Sequence, residues 1–215
     1  MVGIPIIFAI KKEKKMQILG TVNPLIIHVL SPYADKGANE KSLLLMQIFL
    51  VLTGSLLLTI SAKVQIPFYP VPMTMQTLVV LMIGMSYGAP LAALTIFLYL
   101  FQGAIGLPVF ANGGGVAYMM GPTGGYLVGF FFSATLLGIL ASNGWGKTWQ
   151  TTAVAMILGV SVIFAIGISW LAMFIGFKAA LINGFFPFIY ADFLKIIIAS
   201  FAMPAAWSLV HRFLN

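Results

Sequence analysis

The chain has 215 residues, 61% of them hydrophobic and 7% charged, with a net charge of +7 and no cysteine. So few charges exclude a water-soluble surface, because soluble domains carry about a quarter charged residues, and the lack of cysteine excludes disulfides and thiolate metal sites. Between Lys63 and Lys147 lie 83 residues without one Asp, Glu, Lys or Arg, several times the roughly 20 that span a hydrocarbon core.

Met1 to Ile10 is apolar but too short to span, with no basic region before it and no small-residue cleavage site, so it does not read as a signal peptide. Residues 11–42 mix lysines with Pro24, Pro32 and Gly37. Positions 1–42 are therefore expected to be a cytoplasmic N-terminal tail, with residues 11–41 either a partly ordered tail or a short interfacial helix. The first crossing is expected over Leu43–Ala62, an uncharged, Leu-rich stretch closed by Lys63 and then by Pro67, Pro70 and Pro72, which cannot continue a helix. A second helix is predicted from Thr74 to Tyr87, broken at Gly88-Ala89-Pro90, and a third from Leu91 to Ile105.

The following stretch, with Gly106, Pro108 and Gly113-Gly114-Gly115, is irregular backbone, and Pro122 opens a fourth helix that runs to Ala141. A polar loop carrying Trp145 and Lys147 leads into the fifth crossing, Thr152–Phe177, and the sixth covers Phe188–Val210. The expected fold is thus all-α: a polytopic membrane protein with six transmembrane helices. The tails and the 142–151 loop carry eight basic residues against Lys63 and Lys178 on the opposite face. Basic residues favour the cytoplasmic side, so both termini are expected there. The opposite face carries long Gly- and Pro-rich loops at 63–73, 106–121 and 178–187. Irregular backbone at membrane depth is tolerated only when buried in protein or facing a cavity, so these loops are expected to cap an outward-facing pocket.

Asp192 and Lys195 lie within the sixth apolar stretch, three positions apart and on one helix face. An ionised group facing lipid costs at least about 2.5–3.5 kcal/mol, so such groups point inward, pair, and mark a substrate or ion path; a self-neutralising structural pair is the plainer reading. Gln76 is a ligand contact or a helix-packing hydrogen bond. Tyr99 and Tyr126 are pocket residues or part of an aromatic belt. Asn112 is a ligand contact or a turn residue. Gly113-Gly114-Gly115 lacks the lysine and hydroxyl of a phosphate loop, and His28 and His211 have no carboxylate pattern beside them. Gly84 with Gly88, and Gly125 with Gly129, have the spacing that lets helices approach closely.

Several segments in order resemble one family. They are Ala62-Lys63-Val64-Gln65-Ile66-Pro67, then Val71-Pro72-Met73-Thr74-Met75-Gln76-Thr77, then Tyr99 with Gly103 to Phe110. Gly121-Pro122-Thr123-Gly124-Gly125-Tyr126-Leu127 and Phe188 to Lys195 follow. Over residues 43–210 the chain is similar to the biotin-specific substrate-capture (S) components of energy-coupling factor transporters, the BioY family. That resemblance implies no enzyme activity and no cofactor, with biotin as the transported ligand. It implies that Lys195 engages the ligand carboxylate, that Asp192 and Asn112 meet the ureido ring, and that Gln76, Tyr99 and Tyr126 line the pocket. It further implies a transmembrane coupling (T) component and two ATPase subunits as partners in the bacterial inner membrane, and no nucleic acid. The family docks its coupling protein through small residues four apart on the first helix; here Ser55 and Thr59 stand in that spacing without a clean alanine pair. The competing readings are a capture component for another vitamin, an intramembrane enzyme using Asp192 or Lys195 as acid or base, and a purely structural protein.

Overall fold

The protein is represented by a computed structural model that describes residues 40–214. Residues 1–39 of the expected tail, with His28, and the side chain of His211 lie outside this description. Helix α1 spans Glu40–Lys63. A two-strand antiparallel ribbon follows, β1 (Gln65–Ile66) against β2 (Met73–Thr74), with Gln65 opposite Thr74. Then come α2 (Gln76–Tyr87), α3 (Ala89–Ala104), a single turn α4 (Val116–Met119), α5 (Gly124–Ser142), α6 (Trp149–Ile175), α7 (Phe177–Gly184) and α8 (Phe186–Leu214). Stretches of α1, α5, α6 and α8 are long and apolar enough to cross a membrane, whereas α2 and α3 are apolar but shorter.

Chain breaks fall where backbone chemistry requires them. Gly88 has φ +78°, a left-handed value that glycine adopts without steric cost, and with Pro90 in the first turn of α3 it folds α2 against α3 in a single-residue connection. Thr148 caps α6 by accepting a hydrogen bond from the Thr151 N–H. Two expectations need correction. The 63–73 loop contains the ribbon, held further by a Met75 N–H to Val64 carbonyl bond of 3.0 Å. The 178–187 segment is not a loop: Ala179, Ala180 and Leu181 are good helix formers and continue as α7 once Gly176, at φ +79°, has redirected the chain.

Helix α5 is central: it packs along α6 and also against α2 and α3, while α1 and α8 lie at the periphery. The close approaches depend on missing side chains. A Cβ on Gly84 would stand 2.7 Å from Leu137 Cβ, one on Gly125 2.2 Å from Trp170 Cβ, and one on Gly129 3.0 Å from Ile163 Cα. In lipid, where burial of apolar surface does not drive helices together, such tight contact and interhelical hydrogen bonds hold the bundle. One of these bonds joins Ser55 on α1 to Gln102 on α3, Ser55 Oγ donating to Gln102 Oε1 over 2.5 Å. Ser55 is therefore turned inward, 1% exposed, and is not offered on the lipid face. Ser55→Ala should cost about 1 kcal/mol, within the range measured for such bonds in membranes, read as a lower melting temperature in detergent.

Candidate functional site

The ends of α1 and α3, the ribbon, the 105–123 segment and the α7–α8 corner meet at one end of the bundle. Lys63 Nζ donates to the Phe110 carbonyl over 2.6 Å, and Gln65 Nε2 donates to the Ala111 carbonyl and to Asn112 Oδ1 over 3.3 and 3.0 Å. On the other side, Tyr126 Oη donates to the Gly184 carbonyl over 2.9 Å. Beneath these ties lies a small, partly open cavity of about 50 Å³.

The cavity has two kinds of wall. Phe110, Tyr118, Tyr126, Phe130, Phe164 and Phe188 make an aromatic side, and Thr74, Gln76, Thr77, Thr123 and Asp192 supply polar atoms. Tyr126 stacks on Phe188 with ring centres 6.4 Å apart and meets Phe164 edge-on at the same distance. A compact ligand with an apolar body and a few hydrogen-bonding groups suits such a lining.

Asp192 and Lys195, on consecutive turns of α8, are 4% and 5% exposed. Lys195 Nζ lies 2.6 Å from Asp192 Oδ1 and donates a second hydrogen bond, 2.9 Å long, to the Thr74 carbonyl. The pair is the one salt bridge among the described residues. Its lysine thus ties α8 to β2, while its aspartate faces the cavity. An ammonium has three N–H donors, and two are engaged here.

The other expected site residues fall in different places. Gln76, 4% exposed, lines the cavity and donates from Nε2 to Tyr99 Oη over 2.6 Å. Tyr99 is fully buried behind it and donates in turn to the Val109 carbonyl over 3.0 Å. Tyr126 lines the cavity. Asn112 sits at the exposed rim, joined to Gln65. The cavity thus brings together Asp192, Gln76 and Tyr126; Lys195 and Tyr99 stand one contact behind, and Asn112 at the edge.

Residues 35–212 match the family described as BioY. The chain belongs to the BioY family. It is 38% identical over 156 residues to the probable biotin transporter BioY of Pyrococcus horikoshii, covering 72% of this chain and 89% of that protein. It is 35% identical over 146 residues to the biotin transporter BioY of Thermotoga maritima, covering 67% and 85%. The crystal structure of the S-component for biotin from an ECF-type ABC transporter superposes with a TM-score of 0.67 over 80% of this chain and 95% of that one, at 24% identity. At that identity the likeness concerns the fold.

In this BioY-family chain, sequence reasoning missed most of the aromatic wall. Phe164 and Phe130 sit within apolar helices where every face looks alike, and nothing in their spacing marks them. Thr123 was missed as well: before a helix a threonine reads as an N-cap, and only the structure shows that its side chain makes no capping bond and lines the cavity.

Proposed function

We propose that the protein captures biotin as the membrane-embedded component of an energy-coupling factor vitamin transporter, delivering it inward with a coupling protein and ATPases. The observation that carries this reading is the buried Asp192–Lys195 pair at an aromatic-walled cavity, in a chain of the BioY family. Lys195 points its remaining N–H toward the ligand carboxylate, which requires its side chain to swing away from Asp192, since the carboxylate and the ureido ring lie at opposite ends of biotin. Asp192 accepts from the ureido N–H groups, and the Asn112 side-chain amide, whose oxygen is occupied by Gln65, donates to the ureido carbonyl. Gln76 and Tyr126 line the site, and Tyr99 acts through Gln76 by fixing its amide.

The partners in this reading are one transmembrane coupling component and two ATPase subunits. The membrane is the bacterial inner membrane, with the loop-capped end facing outward. Lys147, Arg212 and the lysine-rich residues 1–42 then lie on the cytoplasmic side, as the excess of basic residues favours.

Calorimetric titration of the detergent-purified protein tests this, with thiamine and riboflavin as controls. Saturable binding of biotin alone is expected. Folded protein that does not bind biotin would refute the assignment.

A further inference from the structure

The ring of Phe110 is 1% exposed and forms part of the cavity wall. It is held from several directions. Tyr99 meets it edge-on at 5.4 Å and Tyr118 stacks on it at 5.2 Å. Its carbonyl accepts from Lys63 Nζ over 2.6 Å, and its N–H donates to the Gly113 carbonyl over 2.9 Å. The neighbouring Val109 carbonyl accepts from Tyr99, so the backbone on either side of the ring is fixed.

The ring tip rests on Gly103 of α3, where a Cβ would stand 1.9 Å from Phe110 Cζ and 2.3 Å from Cε2. No side chain fits there. Ordinary carbon–carbon contact is about 3.5 Å, so a methyl at position 103 would drive the ring tip back by roughly 1.5 Å. The edge of Tyr99, the stacked ring of Tyr118 and the tethered backbone restrict other movements, which leaves the cavity that Phe110 lines as the space into which its ring is displaced.

We propose that Phe110 sets the width of the ligand cavity, and that Gly103 is its positioning residue, present because its bare backbone seats the ring out of the ligand's way. Resting on the biotin reading above, this assigns a role in ligand selection to two residues that carry no hydrogen-bonding side chain. A wall made by one seated ring discriminates by shape: moving the ring inward rejects a bicyclic ligand, and trimming it loosens the fit.

The test is titration of detergent-purified full-length protein with biotin and with desthiobiotin, the analogue lacking the thioether ring, for the wild type and three variants. Gly103→Ala should lower biotin affinity at least tenfold with helicity retained. Adding Phe110→Leu to it, which removes the clashing ring tip, should restore affinity to within threefold of Phe110→Leu alone, a rescue that general destabilisation would not produce. Phe110→Leu alone should change the ratio of biotin to desthiobiotin affinity at least fivefold. Wild-type affinity in Gly103→Ala, or failure of the double variant to recover, would overturn the proposal. Should Gly103→Ala not fold, the Phe110→Leu ratio decides, and an unchanged ratio refutes it. Wild-type protein that binds neither compound sinks the biotin reading, whereas wild-type binding with unaffected variants sinks this proposal alone.

Discussion

Lys195→Met should lose about 10- to 150-fold in biotin affinity, the equivalent of the roughly 1.5–3 kcal/mol carried by a hydrogen bond to a charged group. It should also be less stable than the parent. The substitution removes both of the lysine's bonds, to Asp192 and to the Thr74 carbonyl, and leaves a carboxylate in a site that is 4% exposed. Breaking one side of a buried ion pair typically costs about 3–5 kcal/mol, while replacing both sides together is often close to neutral. The two readings of the pair therefore separate in the double variant Asp192→Asn/Lys195→Met. A purely structural pair predicts that stability and binding recover together. A ligand-binding pair predicts recovered melting temperature with binding still lost, and this second result is expected. Titration and thermal melting of the same three preparations decide the matter.

Gly138→Ala should be among the most damaging single-methyl additions in the bundle. A Cβ there would lie 2.2 Å from the Ala89 nitrogen and 2.5 Å from both Ala89 Cα and the Gly88 carbonyl carbon. All three are backbone atoms of the tight α2–α3 turn, so no side chain can rotate away, and α5 must separate from the turn. Overpacking costs about 1–3 kcal/mol and more where backbone must move, so about 3 kcal/mol is expected. For a domain of this size that is a fall of about 6–12 °C in melting temperature. Gly144→Ala is the control: its Cβ would meet open space, and only its φ of +86° opposes the change. A Gly138→Ala protein no less stable than Gly144→Ala would contradict the packing described here.

Much of the bundle was legible because lipid imposes a simple rule. Every backbone polar group must be satisfied within the segment, so uncharged runs become helices and Gly or Pro clusters end them. The expected Leu43–Ala62 and Thr152–Phe177 crossings correspond to α1 and α6, with ends shifted by one to three residues. The ribbon was not legible, since two residues per strand leave no periodicity to read, and the Lys195 bond to its Thr74 carbonyl comes from 121 residues away in the chain. Helix α7 was hidden for another reason: eight residues between Gly176 and Phe185 are too few to span, and length was the criterion that found the other helices. At the site, charge was legible and shape was not. Asp192 and Lys195 stand out in any apolar run, whereas Phe164 becomes a cavity residue only because α6 turns that face toward α5 and α8.

The brevity of α3 bears on the lipid around it. Its 16 residues rise about 24 Å, against about 36 Å for the 24 residues of its neighbour α1. Leu94, Phe97 and Phe101 are each more than half exposed along it, so this is a side of the protein that acyl chains wet. A hydrocarbon core near 30 Å exceeds that rise by about 6 Å, a mismatch costing a fraction of a kcal/mol per ångström that the flanking chain or the bilayer has to absorb. The exposed apolar Ile105 and Leu107 that follow α3 extend the greasy surface of this flank beyond the helix itself.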